Sequence, residues 1–211
     1  MTIEAVVFDF GGVFTTSPFS GLHAWHVERG LDPEQGLRLV FGPYDQDTDH
    51  PWHRLERGEV ALMAAAEQIK AVAAEEGLEL ELSEMFGAMG GSDGVRTDMV
   101  DLVLDLRARG YRTALITNNI KEFADGWRAM IPVDDMFEHV VDSSAVGMRK
   151  PDPRIYRLAL DALGVEPAAS VFLDDAEGNL VAARALGMRT VLVEDDHTGA
   201  VAELERLLAE G

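Results

Sequence analysis

Five short apolar runs recur along the chain: Ala5–Phe8, Thr113–Ile116, His139–Val141, Ser170–Leu173 and Thr190–Val193. Each has the length of a strand and little polar alternation, the pattern of parallel strands covered on both faces. Helical periods separate most of them. Met99, Leu102, Val103 and Leu106 share one face of a helix ended by Gly110, and a second helix over Ile155–Leu163 is ended by Gly164. Strand and helix alternating in this way predict an α/β fold with a doubly wound, Rossmann-like parallel sheet. The stretch from Ser17 to Ser92 breaks the alternation, because it holds helical patterns and no buried strand. Within it, Glu59–Glu76 is rich in alanine and spaces Val60, Met63, Ala64, Ile69 and Val72 for one helical face. The division expected is a core of residues 1–16 and 93–211 with a helical insert at 17–92. Gly87, Gly90, Gly91 and Gly94 serve as the return hinge.

Composition narrows the function. The 211 residues suffice for one domain with a small accessory one, and 38 acidic against 18 basic residues give a formal charge of −20. Such a surface repels nucleic-acid backbones and anionic lipid, so neither partner is expected. No apolar run approaches the roughly 20 residues that cross a bilayer, and Met1–Asp9 lacks a secretory pattern; a cytoplasmic location is expected. The chain has no cysteine. Thiol nucleophiles, thiolate metal sites and disulfides are thereby excluded.

Ligands of open parallel sheets bind beyond the carboxyl ends of the strands. The residues just past the apolar runs are Asp9, Thr117 with Asn118, Lys150 in Gly147–Pro151, and Asp174 with Asp175. Alone, each has an ordinary reading as turn chemistry or a solvated charge. Together, after four successive strands, they describe one site. Two carboxylates about 4 Å apart repel by roughly 4 kcal/mol at an effective dielectric near 20, so three converging ones face on the order of 12 kcal/mol. A cation or protonation must relieve them. Oxygen ligands without histidine or cysteine favour Mg²⁺. A cation, a lysine and a hydroxyl around an attacking carboxylate suit phosphoryl transfer to and from a small phosphorylated substrate.

The wording of these segments, Val-Val-Phe-Asp9-Phe-Gly-Gly-Val, Leu-Ile-Thr117-Asn-Asn, Gly-Met-Arg-Lys150-Pro-Asp-Pro and Val-Phe-Leu-Asp174-Asp175, resembles the four motifs of the haloacid dehalogenase-like superfamily. Within that superfamily it is similar to the helical-cap group that includes the N-terminal phosphatase domain of soluble epoxide hydrolase. The resemblance implies that Asp9 is a nucleophile forming an aspartyl-phosphate. It implies that Thr117 and the Asn118 amide hold phosphoryl oxygens, and that Lys150 bridges nucleophile and phosphoryl group. Asp9, Asp175 and the Gly11 carbonyl would be magnesium ligands, with Asp174 a ligand directly or through water. The insert at 17–92 would be the cap.

One position departs from the pattern. Phosphatases of the superfamily carry a second, acid–base aspartate two residues after the first, and here that residue is Gly11. General acid–base catalysis contributes roughly 10²- to 10⁴-fold. A slow enzyme, a leaving group that needs no proton, or an acid delivered from the cap would each accommodate the change. His23, His26, His50 and His53 are cap candidates, with His53 first, because Trp52, His53 and Arg54 cluster as a loop suited to an anionic substrate. Trp52 and Arg54 have structural readings as well, in packing and ion pairing. Two rivals follow. A metal-independent 2-haloacid dehalogenase would share Asp9, Lys150 and the missing aspartate but not the Asp174–Asp175 pair; a catalytically weak phosphate-binding regulator would keep the fold without turnover. Carbon–phosphorus cleavage would need a cap lysine, and Lys70, the single one, sits on a helix face.

Overall fold

A computed structural model describes residues 2–80 and 94–210. The expected alternation is present. Strands β1 (Ala5–Phe8), β2 (Arg112–Thr117), β3 (His139–Asp142), β4 (Ser170–Asp174) and β5 (Arg189–Leu192) form one sheet in the order β3-β2-β1-β4-β5. All its pairings are parallel. From β1 the chain winds outward to one side through β2 and β3, then returns to the other side of β1 with β4. The switch in direction therefore falls between β1 and β4, where open sheets of this kind form their crevice.

Alternate residues of β1 feed two cores. Val6 and Phe8 face the helix α5 (Thr97–Ala108) and the C-terminal α8 (Thr198–Ala209), packing with Met99, Leu106 and Leu204. Ala5 and Val7 face α6 (Pro153–Leu163) and α7 (Glu177–Leu186), packing with Ile155, Leu160 and Leu180. Both faces of the strand are buried, which is why it reads as an unbroken apolar run. Gly164 ends α6 at φ +66°, as expected of a left-handed C-cap.

Between β1 and α5 lie α1 (Pro18–Glu28), α2 (Pro33–Phe41), α3 (Pro51–Glu56) and α4 (Leu62–Glu75). Their apolar residues make a third cluster, in which Leu22, Phe41, Trp52, Leu55 and Ile69 are joined from the sheet side by Ile120. The buried face of α4 differs from the expected one. Ala65, Ala66, Ile69 and Ala73 point inward, whereas Met63 is 71% exposed and Val72 37%. Small side chains let α4 approach its neighbours closely around Ile69, and the longer apolar ones are left outside. The helix also begins at Leu62 rather than Glu59, because Glu122 Oε1 accepts from the Leu62 amide and fixes the start. Of the hinge glycines, Gly87, Gly90 and Gly91 lie outside the described residues. Among the described residues no helix is long and apolar enough to cross a membrane.

Candidate active site

Asp9 is the first residue past β1, and its amide donates to the Leu173 carbonyl (2.8 Å), so the pairing with β4 carries it to the sheet's end. The chain then turns through Phe10–Phe14, the Phe14 amide donating to the Phe10 carbonyl. Gly11 and Gly12 lie in this turn. At Gly12 the backbone has φ +71°, and a Cβ there would fall 2.2 Å from Asp175 Oδ2. Only glycine meets both conditions, and it lets the β1 loop press against the carboxylate that follows β4.

Lys150 arrives from the loop after β3. The Asn118 side chain grips its backbone twice: Oδ1 accepts from the Lys150 amide (2.8 Å) and Nδ2 donates to the Lys150 carbonyl (3.0 Å). Nζ, fully buried, lies 2.7 Å from Asp9 Oδ1 and 2.7 Å from Asp174 Oδ2. Asp174 is saturated by these neighbours. Its Oδ1 accepts from the Ala176 amide (2.8 Å), and Asn179 Nδ2 reaches both oxygens at 3.1 Å. Asp175 is differently held, accepting from Ser17 Oγ at 2.5 Å. Asp174 is thus placed to aim Lys150, and Asp175 faces the turn that carries Gly12.

The charges do not balance. One lysine sits among three carboxylates whose ligand oxygens all lie within 4.8 Å of one another. Burial pushes Asp9 well above the usual carboxylate range, Lys150 pulls it back, and Asp174 and Asp175 raise it further. Burial and then Asp174 push Asp175 up to about 7, with the Ser17 hydroxyl opposing. Burial works against the Lys150 charge, but Asp174 and Asp9 more than offset it and hold its pKa above the ordinary lysine value. A second cation beside Asp9 and Asp175 would relieve this strain, and an all-oxygen donor set suits a hard divalent ion.

Thr117 ends β2 in register with Asp142 and is buried, next to the Asn118 clamp. The insert residues are placed otherwise. The ring of His53 is fully buried; its Nδ1 accepts from the Thr48 amide (3.0 Å) and lies 2.9 Å from Thr48 Oγ1, which puts the ring hydrogen on Nε2. Burial first, then the Arg149 charge, lower its pKa to about 3, so at neutral pH the ring is the neutral imidazole and not the imidazolium that a general acid requires. His50 caps α3 by accepting from the Trp52 amide, and His26 Nδ1 faces the Leu22 carbonyl at 2.7 Å. His23 is exposed, and Lys70 lies half-buried on α4. Arg54 pairs with Glu59 at 3.5 Å on the surface. Trp52 packs edge-on to Phe41, with ring centroids 4.8 Å apart, and lines a cavity between insert and sheet.

Some functional neighbours were not singled out from the sequence. Asn179 lies five residues past Asp174, in the first turn of α7, and that spacing is a usable signal. Ser17 carries none, since it reaches Asp175 only through the fold. Arg149, adjacent to Lys150, is buried and donates through Nε to Glu56 Oε2 of α3 (2.6 Å) and through Nη1 to the Gln46 carbonyl (2.8 Å). It ties the lysine loop to the insert. Beside it Tyr44 sits with its ring 5.0 Å from the guanidinium carbon and its hydroxyl 3.4 Å from Glu56 Oε1. Burial, and then Glu56, raise the phenol's pKa, with Asp9 and Asp175 adding to the effect.

A family model described as haloacid dehalogenase-like hydrolase matches residues 3–187. Bifunctional epoxide hydrolase 2 of Sus scrofa is 32% identical over 219 residues, which takes in 98% of this chain but 39% of that protein. The chain therefore spans about two fifths of that relative's length. A sesquiterpene phosphatase of Aspergillus oryzae is 27% identical, covering 89% of this chain and 88% of its own. Among solved structures, a HAD family enzyme from Bacteroides thetaiotaomicron, in complex with magnesium and inorganic phosphate, superposes with a TM-score of 0.64 at 20% identity, covering 95% of this chain and 98% of that one. L-2-haloacid dehalogenase from Xanthobacter autotrophicus, with chloropropionic acid covalently bound, superposes at 0.59 and 21%, covering 96% and 82%. At these identities the structural likenesses speak for the fold.

Proposed function

Because the chain belongs to the haloacid dehalogenase-like hydrolase family, we propose that it is a magnesium-dependent phosphatase of a small phosphorylated substrate, with Asp9 as nucleophile. The observation that carries this reading is Lys150 held at 2.7 Å from both Asp9 and Asp174 while Asp175 completes a three-carboxylate cluster. An Asp9 Oδ attacks phosphorus, the bond from phosphorus to the leaving oxygen breaks, and the electron pair departs on that oxygen. Water then hydrolyses the aspartyl-phosphate. The Thr117 hydroxyl and the Asn118 amide hold phosphoryl oxygens, and Lys150 offsets their charge.

Asp9, Asp175 and the Gly11 carbonyl would hold Mg²⁺, with Asp174 a ligand directly or through water. When bound, the ion neutralises charge on the phosphoryl group. Residues 17–92 act as a cap over the core of 1–16 and 93–211, with Arg149–Glu56 and Ser17–Asp175 as contacts between the two. His53, neutral and bonded within the cap, serves to hold its loop rather than to donate a proton.

The dehalogenase reading draws support from Gly11 and from the Xanthobacter likeness. The half-buried Asp175, which a halide displacement does not use, weighs against it. Phosphate release from acetyl phosphate and p-nitrophenyl phosphate with Mg²⁺ decides. It should vanish with EDTA and in Asp9→Asn; halide release from 2-chloropropionate that resists EDTA would replace the phosphatase reading.

A further inference from the structure

Of the cavities between cap and core, one of about 140 Å³ is walled by five rings, Phe19, Phe41, Tyr44, Trp52 and Phe123; a larger one, of about 430 Å³, opens beside Ala176 and Gly178. Three of their contacts are edge-on: Phe19 to Tyr44 at 4.7 Å and 77°, Phe19 to Phe41 at 5.1 Å and 79°, and Phe41 to Trp52 at 4.8 Å and 86°. Rings locked edge to face hold one another in place and present a preformed apolar wall. A buried cavity of about 150 Å³ lined by apolar side chains takes up benzene. The volume of this space matches that of one ring.

Its polar edge adjoins the site. Asn118, whose side chain clamps Lys150, lines the cavity, as does Glu56. Glu56 is already paired with Arg149 at 2.6 Å, so the cavity has little to offer a cationic ligand. Asp9 is not in its wall. In-line displacement puts the leaving group on the side away from the nucleophile, and the residue this cavity shares with the site is Asn118, whose amide the phosphatase reading sets on the phosphoryl group.

A second observation comes from the sequence. With Gly11 in place of a carboxylic acid, and His53 held neutral, the leaving oxygen must depart without a proton from either. A phenol ionises near pH 10. That is about six units below water at 15.7, and an aliphatic alcohol resembles water. Aryl and aroyl oxygens leave readily as anions, whereas alkoxides do not.

We propose that the cavity is the leaving-group site and that the substrates are phosphates joined to a single aromatic ring, as aryl or aroyl phosphates. The proposal rests on the phosphatase reading above. Asp9 takes the phosphoryl group, the phosphorus–oxygen bond breaks, and the aryl oxygen keeps the electron pair; the anion is protonated by water after it leaves. The ring stays between Phe123 and the cap rings while the bond breaks.

Acetyl and benzoyl phosphate leave with similar ease and differ in the ring, so their kcat/KM ratio reads the cavity alone. For the wild-type chain with Mg²⁺, benzoyl phosphate should exceed acetyl phosphate at least tenfold. Phenyl phosphate should exceed cyclohexyl phosphate at least 100-fold, since both fill the cavity and only one leaves unaided. Phe123 is 44% exposed, so Phe123→Ala should fold, and it should cut the benzoyl-to-acetyl ratio at least threefold. Equal turnover of the acetyl and benzoyl esters, a ratio unchanged in Phe123→Ala, or comparable rates for phenyl and cyclohexyl phosphate would overturn the proposal while leaving a phosphatase. Turnover of no phosphate ester, with wild type matching Asp9→Asn, would overturn the phosphatase reading itself and this proposal with it.

Discussion

Lys150, on a loop, and His53, in the short helix α3, are both fully buried, and both contact a polar partner near 2.7 to 3.0 Å. Their surroundings give them opposite characters. Lys150 is ringed by Asp9 and Asp174, which keep it charged in spite of burial. His53 lies near Arg149, which together with burial keeps it neutral. A buried charge must be paired, and where the acids outnumber the bases the site attracts a further cation. In the cap, histidine, tryptophan and arginine are engaged in packing, capping and surface pairing. The strand ends gather the charged groups; the helical insert supplies an apolar wall.

The comparison can be broken at several points. Asp9→Asn should lower phosphate release at least about 10⁴-fold, or roughly 5 kcal/mol of barrier, while circular dichroism stays unchanged; retained turnover would place the reacting carboxylate elsewhere. Arg149→Met leaves Glu56 buried without its partner and should cost about 3–5 kcal/mol of stability, read as the shift in a urea midpoint. In α4, Ile69→Ala should cost about 2–5 kcal/mol, which tests the observed inner face.

The next effect depends on pH. The folded His53 pKa, about 3, lies below its unfolded value near 6.5. Its contribution is therefore complete above about pH 6.5 and declines as pH falls toward 3. Between pH 6 and 4, wild type should lose stability more steeply than His53→Gln, by up to about 1.4 kcal/mol per pH unit. Parallel slopes would mean that His53 is protonated in the folded chain. Smallest of all, Met63→Ala should change stability by less than about 0.5 kcal/mol. A larger loss would restore the face of α4 expected from its apolar spacing.

The sheet was legible because strands buried on both faces announce themselves as apolar runs, and β1 through β4 begin or end within a residue of the expected limits. The strand-end residues were legible for a related reason: parallel strands carry their last residues to one edge. Asp9, Lys150, Asp174 and Asp175 are indeed brought together. The inner face of α4 was not legible, because alanines are neutral in a hydrophobic pattern and close helix packing selects them. Nor were Ser17 to Asp175 or Arg149 to Glu56, which join residues 158 and 93 positions apart. Position in sequence said little about the cap's histidines, since residue type alone does not say whether an imidazole faces a cleft or a backbone amide.

The most direct test of the account traps the covalent step. The Mg²⁺-loaded chain is mixed with acetyl phosphate, quenched in acid within a turnover, digested and mapped by mass spectrometry. The account predicts that the peptide containing Asp9 gains the mass of one phosphoryl group, that the modification sits on the Asp9 carboxylate, and that Asp9→Asn shows none. Phosphate released without any adduct on Asp9, or with the phosphoryl group on another residue, would contradict it.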